Sequence, residues 1–212
     1  MKYKNIIFNL DGTLWDSRES LIENWNQVLK DQNLLKAKLV PDDMNQYMGL
    51  LIQDVLKDLF PTITENQVQE ILTKIEQSEN ESIQKHGGVL YPNVKETLER
   101  LNQTHNLFIV SNCQNGYIEA FLEYYNFQPL FTDFESHGRT NKNKATNIQL
   151  LLNRNKLKNK ETVYVGDTET DYQSTIVNDL DFIYCSYGFG EISHNLSIPH
   201  LQNFNELIDL MK

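Results

Sequence analysis

Four short apolar runs, each stopping at or just before polar residues, limit the architectures open to this chain. Asn5-Ile6-Ile7-Phe8, Leu107-Phe108-Ile109-Val110, Val163-Tyr164-Val165 and Phe182-Ile183-Tyr184 are continuous rather than alternating in hydrophobicity. That character suits strands buried on both faces, as in a parallel sheet. Between the runs lie segments with helical spacing: Val94, Leu98 and Leu101; Ile118, Phe121, Leu122 and Tyr125; Ile148, Leu151 and Leu152. Strand followed by helix, repeated, predicts an α/β fold with a doubly wound parallel sheet of Rossmann-like type.

Residues 18–88 break this rhythm. Leu51, Val55, Leu56 and Leu59, then Val68, Ile71, Leu72 and Ile75, recur at helical spacing with no strand between them. The segment reads as an inserted all-helical cap, and His86-Gly87-Gly88 followed by Tyr91-Pro92 marks its exit. The expected organisation is an α/β core of residues 1–17 and 89–212 with a helical cap of residues 18–88. Ligands of open α/β sheets bind beyond the carboxyl ends of the strands, so an insert placed directly after the first strand is expected to cover the site.

Composition narrows the function classes. A formal charge of −10 over 212 residues offers no net attraction to nucleic acid or an anionic membrane. Any anionic ligand must be held by a local cluster of donors, which favours a small phosphorylated molecule over a polymer. Cys113 and Cys185 match no metal or redox spacing and read as reduced, packed thiols. The opening MKYKNIIFNLDG lacks the long apolar stretch of a signal peptide or membrane helix, so a cytoplasmic protein, monomer or homodimer, is expected.

The polar strand ends carry the chemistry. Phe8-Asn9-Leu10-Asp11-Gly12-Thr13 places residues 9 and 11 on one side, with Gly12 permitting a sharp turn and Thr13 able to orient neighbouring oxygens. An ordinary Asp-Gly turn has the same pattern. Ser111-Asn112 supplies a hydroxyl and amide donors where a phosphate could sit, or caps the strand. Lys144 precedes a helix and could balance phosphate charge, or be solvated. Asp167 and Asp171, four residues apart, are oxygen ligands of the kind that suit Mg²⁺, though Asp167 could equally cap a helix.

These four elements, in this order, resemble the haloacid-dehalogenase-like hydrolase superfamily, whose motifs read Asp-x-Asp-Gly-Thr, a strand ending in Ser or Thr, a Lys or Arg, and Gly-Asp-x-x-x-Asp. Here they fall on Asn9 to Thr13, Ser111, Lys144, and Gly166 to Asp171. The helical insert, Tyr91-Pro92 and Tyr187-Gly188-Phe189-Gly190 resemble the branch of phosphoglycolate phosphatase and β-phosphoglucomutase. The resemblance implies a Mg²⁺-dependent phosphatase acting through an aspartyl-phosphate. Asp11 is then the general acid and base, its carbonyl and Asp167 bind Mg²⁺, and Asp171 and Thr13 support the site. Ser111, Asn112 and Lys144 hold the phosphoryl group.

Position 9 departs from the pattern. The family's attacking and metal-binding carboxylate is replaced by Asn9, which cannot form an aspartyl-phosphate. Three readings are open: an introduced substitution in a phosphatase, a natural protein that binds phosphate ligands without turnover, and an enzyme using other chemistry. A phosphomutase is a further alternative. A phosphonatase would need a cap lysine, and none of Lys30, Lys36, Lys38 or Lys57 stands out. Trp15, Trp25, Tyr47 and Met48 are candidates to line the pocket, and Arg18 could meet a substrate carboxylate.

Overall fold

The computed structural model describes residues 2–35, 37–192 and 198–212; Lys36, one of the cap lysines, lies outside them. The chain begins with β1 (Asn5–Phe8), β2 (Trp15–Asp16), α1 (Arg18–Asp31), α2 (Ile52–Leu59), α3 (Glu65–His86) and β3 (Val89–Leu90). It continues through α4 (Val94–Leu101), β4 (Asn106–Ser111), α5 (Tyr117–Tyr125), β5 (Phe131–Ser136), α6 (His137–Thr140) and α7 (Lys144–Arg154). The remainder comprises β6 (Thr162–Gly166), α8 (Glu169–Val177), β7 (Asp181–Cys185), β8 (His200–Leu201) and α9 (Leu207–Leu210).

The main sheet has six strands in the order β5-β4-β1-β6-β7-β8, all paired in parallel. Its central strands are the four apolar runs. Every residue of β1 is buried because β4 and β6 flank it and helices cover both faces. Ile7, Phe108, Val110 and Tyr164 pack with Ile148, Leu151 and Leu152 of α7 on one face. Ile6, Phe8, Ile109 and Val165 face the opposite layer with α4, α5 and the C-terminal residues. The strand order reverses direction at β1, so the carboxyl ends of β1, β4 and β6 form a crevice where a doubly wound sheet takes its ligand.

The described residues of 18–86 form α1, a 3₁₀ turn at Pro41–Tyr47, α2 and α3 with loops between them, and no strand occurs among them. The 22-residue α3 begins with a Thr64–Gln67 capping box and ends at Gly87, whose φ of +66° suits glycine. The chain enters and leaves this region through one antiparallel ribbon, Trp15 opposite Leu90 and Asp16 opposite Val89.

Four strands depart from the sequence expectation: β2, β3, β5 and β8. β5 was not anticipated: Phe131-Thr132-Asp133-Phe134-Glu135-Ser136 carries two carboxylates because it is the edge strand, where charge discourages further pairing. Arg154 pairs with both Asp133 and Glu135. The two-residue strands β2, β3 and β8 are too short to leave a periodic signal. No helix among the described residues is long and apolar enough to cross a membrane.

Candidate active site

Asn9 extends the β1 ladder by one bond, its amide N–H donating to the Val165 carbonyl at 2.9 Å. The side chain is thereby held at the sheet's switch point. Asn9 Nδ2 donates to the Asp11 carbonyl at 2.9 Å and to Asp167 Oδ1 at 3.0 Å. Asn9 Oδ1 accepts from Lys144 Nζ at 3.2 Å. Both amide hydrogens and the carbonyl are therefore engaged.

Lys144 opens α7, whose N-cap Asn143 accepts from the Thr146 N–H at 2.9 Å. Its ammonium also donates to Asp171 Oδ1 at 2.6 Å, with both side chains buried. Asp171 is fixed in turn by the start of α8. Its Oδ2 accepts from the backbone N–H groups of Asp167 and Thr168 at 3.1 and 3.0 Å, completing a capping box with Thr168.

Asp167 is clamped by the loops around it. Thr13 Oγ1 donates to its Oδ1 at 3.1 Å and the Phe189 N–H to its Oδ2 at 3.0 Å. A β-carbon at Gly12, where φ is +80°, would lie 2.0 Å from Asp167 Oδ2, and one at Gly188 would lie 2.3 Å from Asp167 Cβ. Only glycines allow both loops this close. Burial, followed by the neighbouring Asp171, pushes the Asp167 carboxyl above its ordinary range, against the pull of Phe189, Asn9 and Lys144.

One oxygen of Asp11 collects three donors: Trp15 Nε1 at 2.9 Å, Tyr117 Oη at 2.8 Å and Ser17 Oγ at 2.5 Å. Burial nevertheless raises this carboxyl, outweighing the three donors and Lys144.

The structure thus brings together Asn9, Asp11, Thr13, Lys144, Asp167 and Asp171. Ser111 and Asn112 line the adjoining cavity of about 60 Å³ with Asn9 and Asp11. Asn112 is turned toward the helical region, its Nδ2 donating to the Gly49 carbonyl at 3.0 Å. Tyr47 and Met48 line the cavity as expected. Trp15 and Trp25 do not. Each donates its indole N–H to an acid that does line it, Trp15 to Asp11 and Trp25 to Glu79. Arg18 also stays outside the cavity wall: it grips Asp16 through Nε and Nη2 at 2.9 and 2.6 Å and stacks on Phe189.

Glu79, Gln114 and Tyr117 are additions that the sequence reading did not single out. Glu79, on α3, is 2% exposed and accepts from Trp25 Nε1 at 2.6 Å and Gln114 Nε2 at 2.7 Å. Its signal lay in α3's own spacing, where Val68, Ile71, Ile75, Glu79 and Ile83 make a single buried stripe interrupted by one acid.

The oxygens expected to hold magnesium converge, but a nitrogen stands among them. The Asp11 carbonyl and Asp167 Oδ1 both accept hydrogen bonds from Asn9 Nδ2. Turning the amide to offer oxygen there would set its NH₂ against the Lys144 ammonium. The residues present therefore do not fit Mg²⁺. Among the described residues, no group of three or more His, Cys, Asp or Glu side chains is placed to hold a metal ion.

A parallel α/β sheet with this strand-end constellation defines a class, and the chain belongs to the haloacid dehalogenase-like hydrolase family, whose profile matches residues 6–185. Among curated relatives, it is 27% identical over 198 residues to the phosphoglycolate phosphatase of Aliivibrio fischeri, covering 88% of this chain and 85% of that one. It is 26% identical over 208 residues to the phosphoglycolate phosphatase of Haemophilus influenzae, covering 93% and 90%. The fold matches CbbY from Rhodobacter sphaeroides, solved in complex with phosphate, with a TM-score of 0.82 at 13% identity over 97% of this chain and 96% of that one. It also matches a haloacid dehalogenase-like hydrolase from Streptococcus pneumoniae with a TM-score of 0.84 at 18% identity, covering 100% and 99%.

Proposed function

We propose that this chain is a phosphatase-type protein that binds a small phosphorylated metabolite at the carboxyl ends of β1, β4 and β6 and, because of Asn9, does not turn it over. In this reading residues 18–88 are a cap on a core of residues 1–17 and 89–212. The observation that carries the proposal is the complete engagement of the Asn9 side chain by Lys144, Asp11 and Asp167.

The chemistry follows from that arrangement. Attack on phosphorus needs a negatively charged oxygen with an available lone pair, and the Asn9 carbonyl is neutral and gives one of its lone pairs to Lys144. Its amide nitrogen is a donor only. Ser111 and Lys144 provide a hydroxyl and a cation for phosphoryl oxygens, with Asn112 beside them. Asp11, with its carboxyl raised, is suited to exchanging a proton with the ester oxygen. A phosphomutase would need the same attacking carboxylate, so Asn9 counts against it equally. The Mg²⁺ requirement implied by the family resemblance is assigned to an Asp at position 9, not to this chain.

The test compares the chain with Asn9→Asp. Titration calorimetry should show inorganic phosphate binding to the chain itself, and an aryl phosphate with Mg²⁺ should release phosphate only with Asn9→Asp. An inert Asn9→Asp protein, or a chain that takes up no phosphate, would defeat the proposal.

A further inference from the structure

The cavity has two walls of different chemistry. Its core side presents Asn9, Asp11, Ser111 and Asn112, and its other side is built largely of Leu21, Met44, Met48, Ile52 and Val55. No lysine or arginine is among the described residues that line it. Lys144, the cation assigned to the phosphoryl group, stands behind Asn9 and bonds Asn9 and Asp171. Arg18, the cation that sequence reasoning offered to a substrate carboxylate, is held by Asp16 and Phe189.

The helical wall contains one ionisable acid, Glu79. Both its oxygens take hydrogen bonds from neutral donors, Trp25 and Gln114, and burial pushes its carboxyl up to about 8. A ligand bearing a second anionic group beyond its phosphate would press that group against Leu21, Met44, Met48, Ile52 and Val55, with no lysine or arginine among the described lining residues to pair with it. An unpaired carboxylate is strongly disfavoured in such surroundings. A hydroxyl or short alkyl group loses far less on entering, and the methionines and aliphatic side chains contact it directly.

We infer that the phosphomonoester held here is the ester of an uncharged alcohol, such as a small polyol or alkanol, and not of a hydroxy acid. This rests on the phosphate-binding reading above and deepens it. It also separates the chain from the named activity of its phosphoglycolate phosphatase relatives.

The discriminating pair is 2-hydroxyethyl phosphate and phosphoglycolate, which differ only in a CH₂OH against a carboxylate. Calorimetry on the unmodified chain is expected to give at least tenfold tighter binding of 2-hydroxyethyl phosphate, and kcat/KM for Asn9→Asp is expected to favour it by a similar factor. Adding a cation to the helical wall, by Met48→Arg or at the exposed rim by Leu50→Arg, should shrink that preference. Two variants guard against one failing to fold. Equal or tighter handling of phosphoglycolate by the parent chain overturns the inference while leaving the phosphate site intact. A preference unmoved by either folded variant overturns its assignment to this wall. If inorganic phosphate and both esters fail to bind, the functional reading fails and this inference with it.

Discussion

Asn9 and Lys144 fix each other's orientation: the ammonium donates to the amide oxygen at 3.2 Å, which leaves the amide nitrogen to face the Asp11 carbonyl and Asp167. A single neutral group thereby satisfies three charged or strongly polar neighbours. The pair explains how this strand-end cluster stays ordered with no carboxylate at position 9.

Magnesium affinity should depend on that residue. Asn9→Asp replaces a donor with an oxygen ligand and is expected to tighten Mg²⁺ binding at least tenfold, read by calorimetry or by the metal-induced rise in Tm. Similar affinities in the two proteins would show that Asn9 does not block the metal ligands.

Lys144 and Asp171 form a fully buried ion pair 2.6 Å apart. Lys144→Met should leave the Asp171 carboxylate without its cation and cost about 3 kcal/mol or more in urea unfolding. Adding Asp171→Asn should recover part of the loss, giving a coupling in a double-mutant cycle. Strict additivity would contradict the pairing.

Glu79 sets a pH dependence of stability. Its folded carboxyl lies at about 8, against about 4.3 for an unperturbed Glu, so the folded protein keeps a proton that the unfolded chain releases. The contribution is complete below the unfolded value and is lost as pH rises through the folded one. Stability should decline between about pH 5 and pH 8 with a slope approaching 1.4 kcal/mol per unit, and Glu79→Gln should flatten it. Parallel unfolding curves for both proteins at pH 5 and pH 8 would refute the assignment.

Tyr117 is one of three donors that pull the Asp11 carboxyl down. In the Asn9→Asp background, Tyr117→Phe removes a hydrogen bond worth about 1 kcal/mol, or somewhat under one pKa unit. The limb of the pH–rate profile that belongs to Asp11 should move upward by that amount. A downward or absent shift would show that the hydroxyl does not act on Asp11.

Three of the motif residues are legible because they sit at the end of a strand whose apolar run announces them. Asn9 and Asp167 follow β1 and β6 directly and Ser111 ends β4, so continuous sequence and sheet order locate them together. Lys144 and Asp171 sit near the starts of α7 and α8, where caps fix their direction. The opposite wall was not legible in this way. Glu79 sits in the polar stretch Gln77-Ser78-Glu79-Asn80-Glu81, and a helix carboxylate there reads as solvated unless its register with Ile75 and Ile83 is weighed. Trp15 and Trp25 looked like pocket lining, whereas their indole nitrogens act on acids from behind the wall. Arg18 illustrates a different limit: its partner Asp16 is two residues away, yet pairing of such neighbours depends on the local turn.

The two tryptophans are the only ones in the sequence, and one donates to Asp11 while the other donates to Glu79. Each indole is therefore wired to one of the ionisable groups that face the cavity. The protein carries its own label-free optical probe: a change in charge at either acid alters the field on an adjacent fluorophore, and replacing Trp15 or Trp25 singly with Phe assigns the signal to one acid or the other.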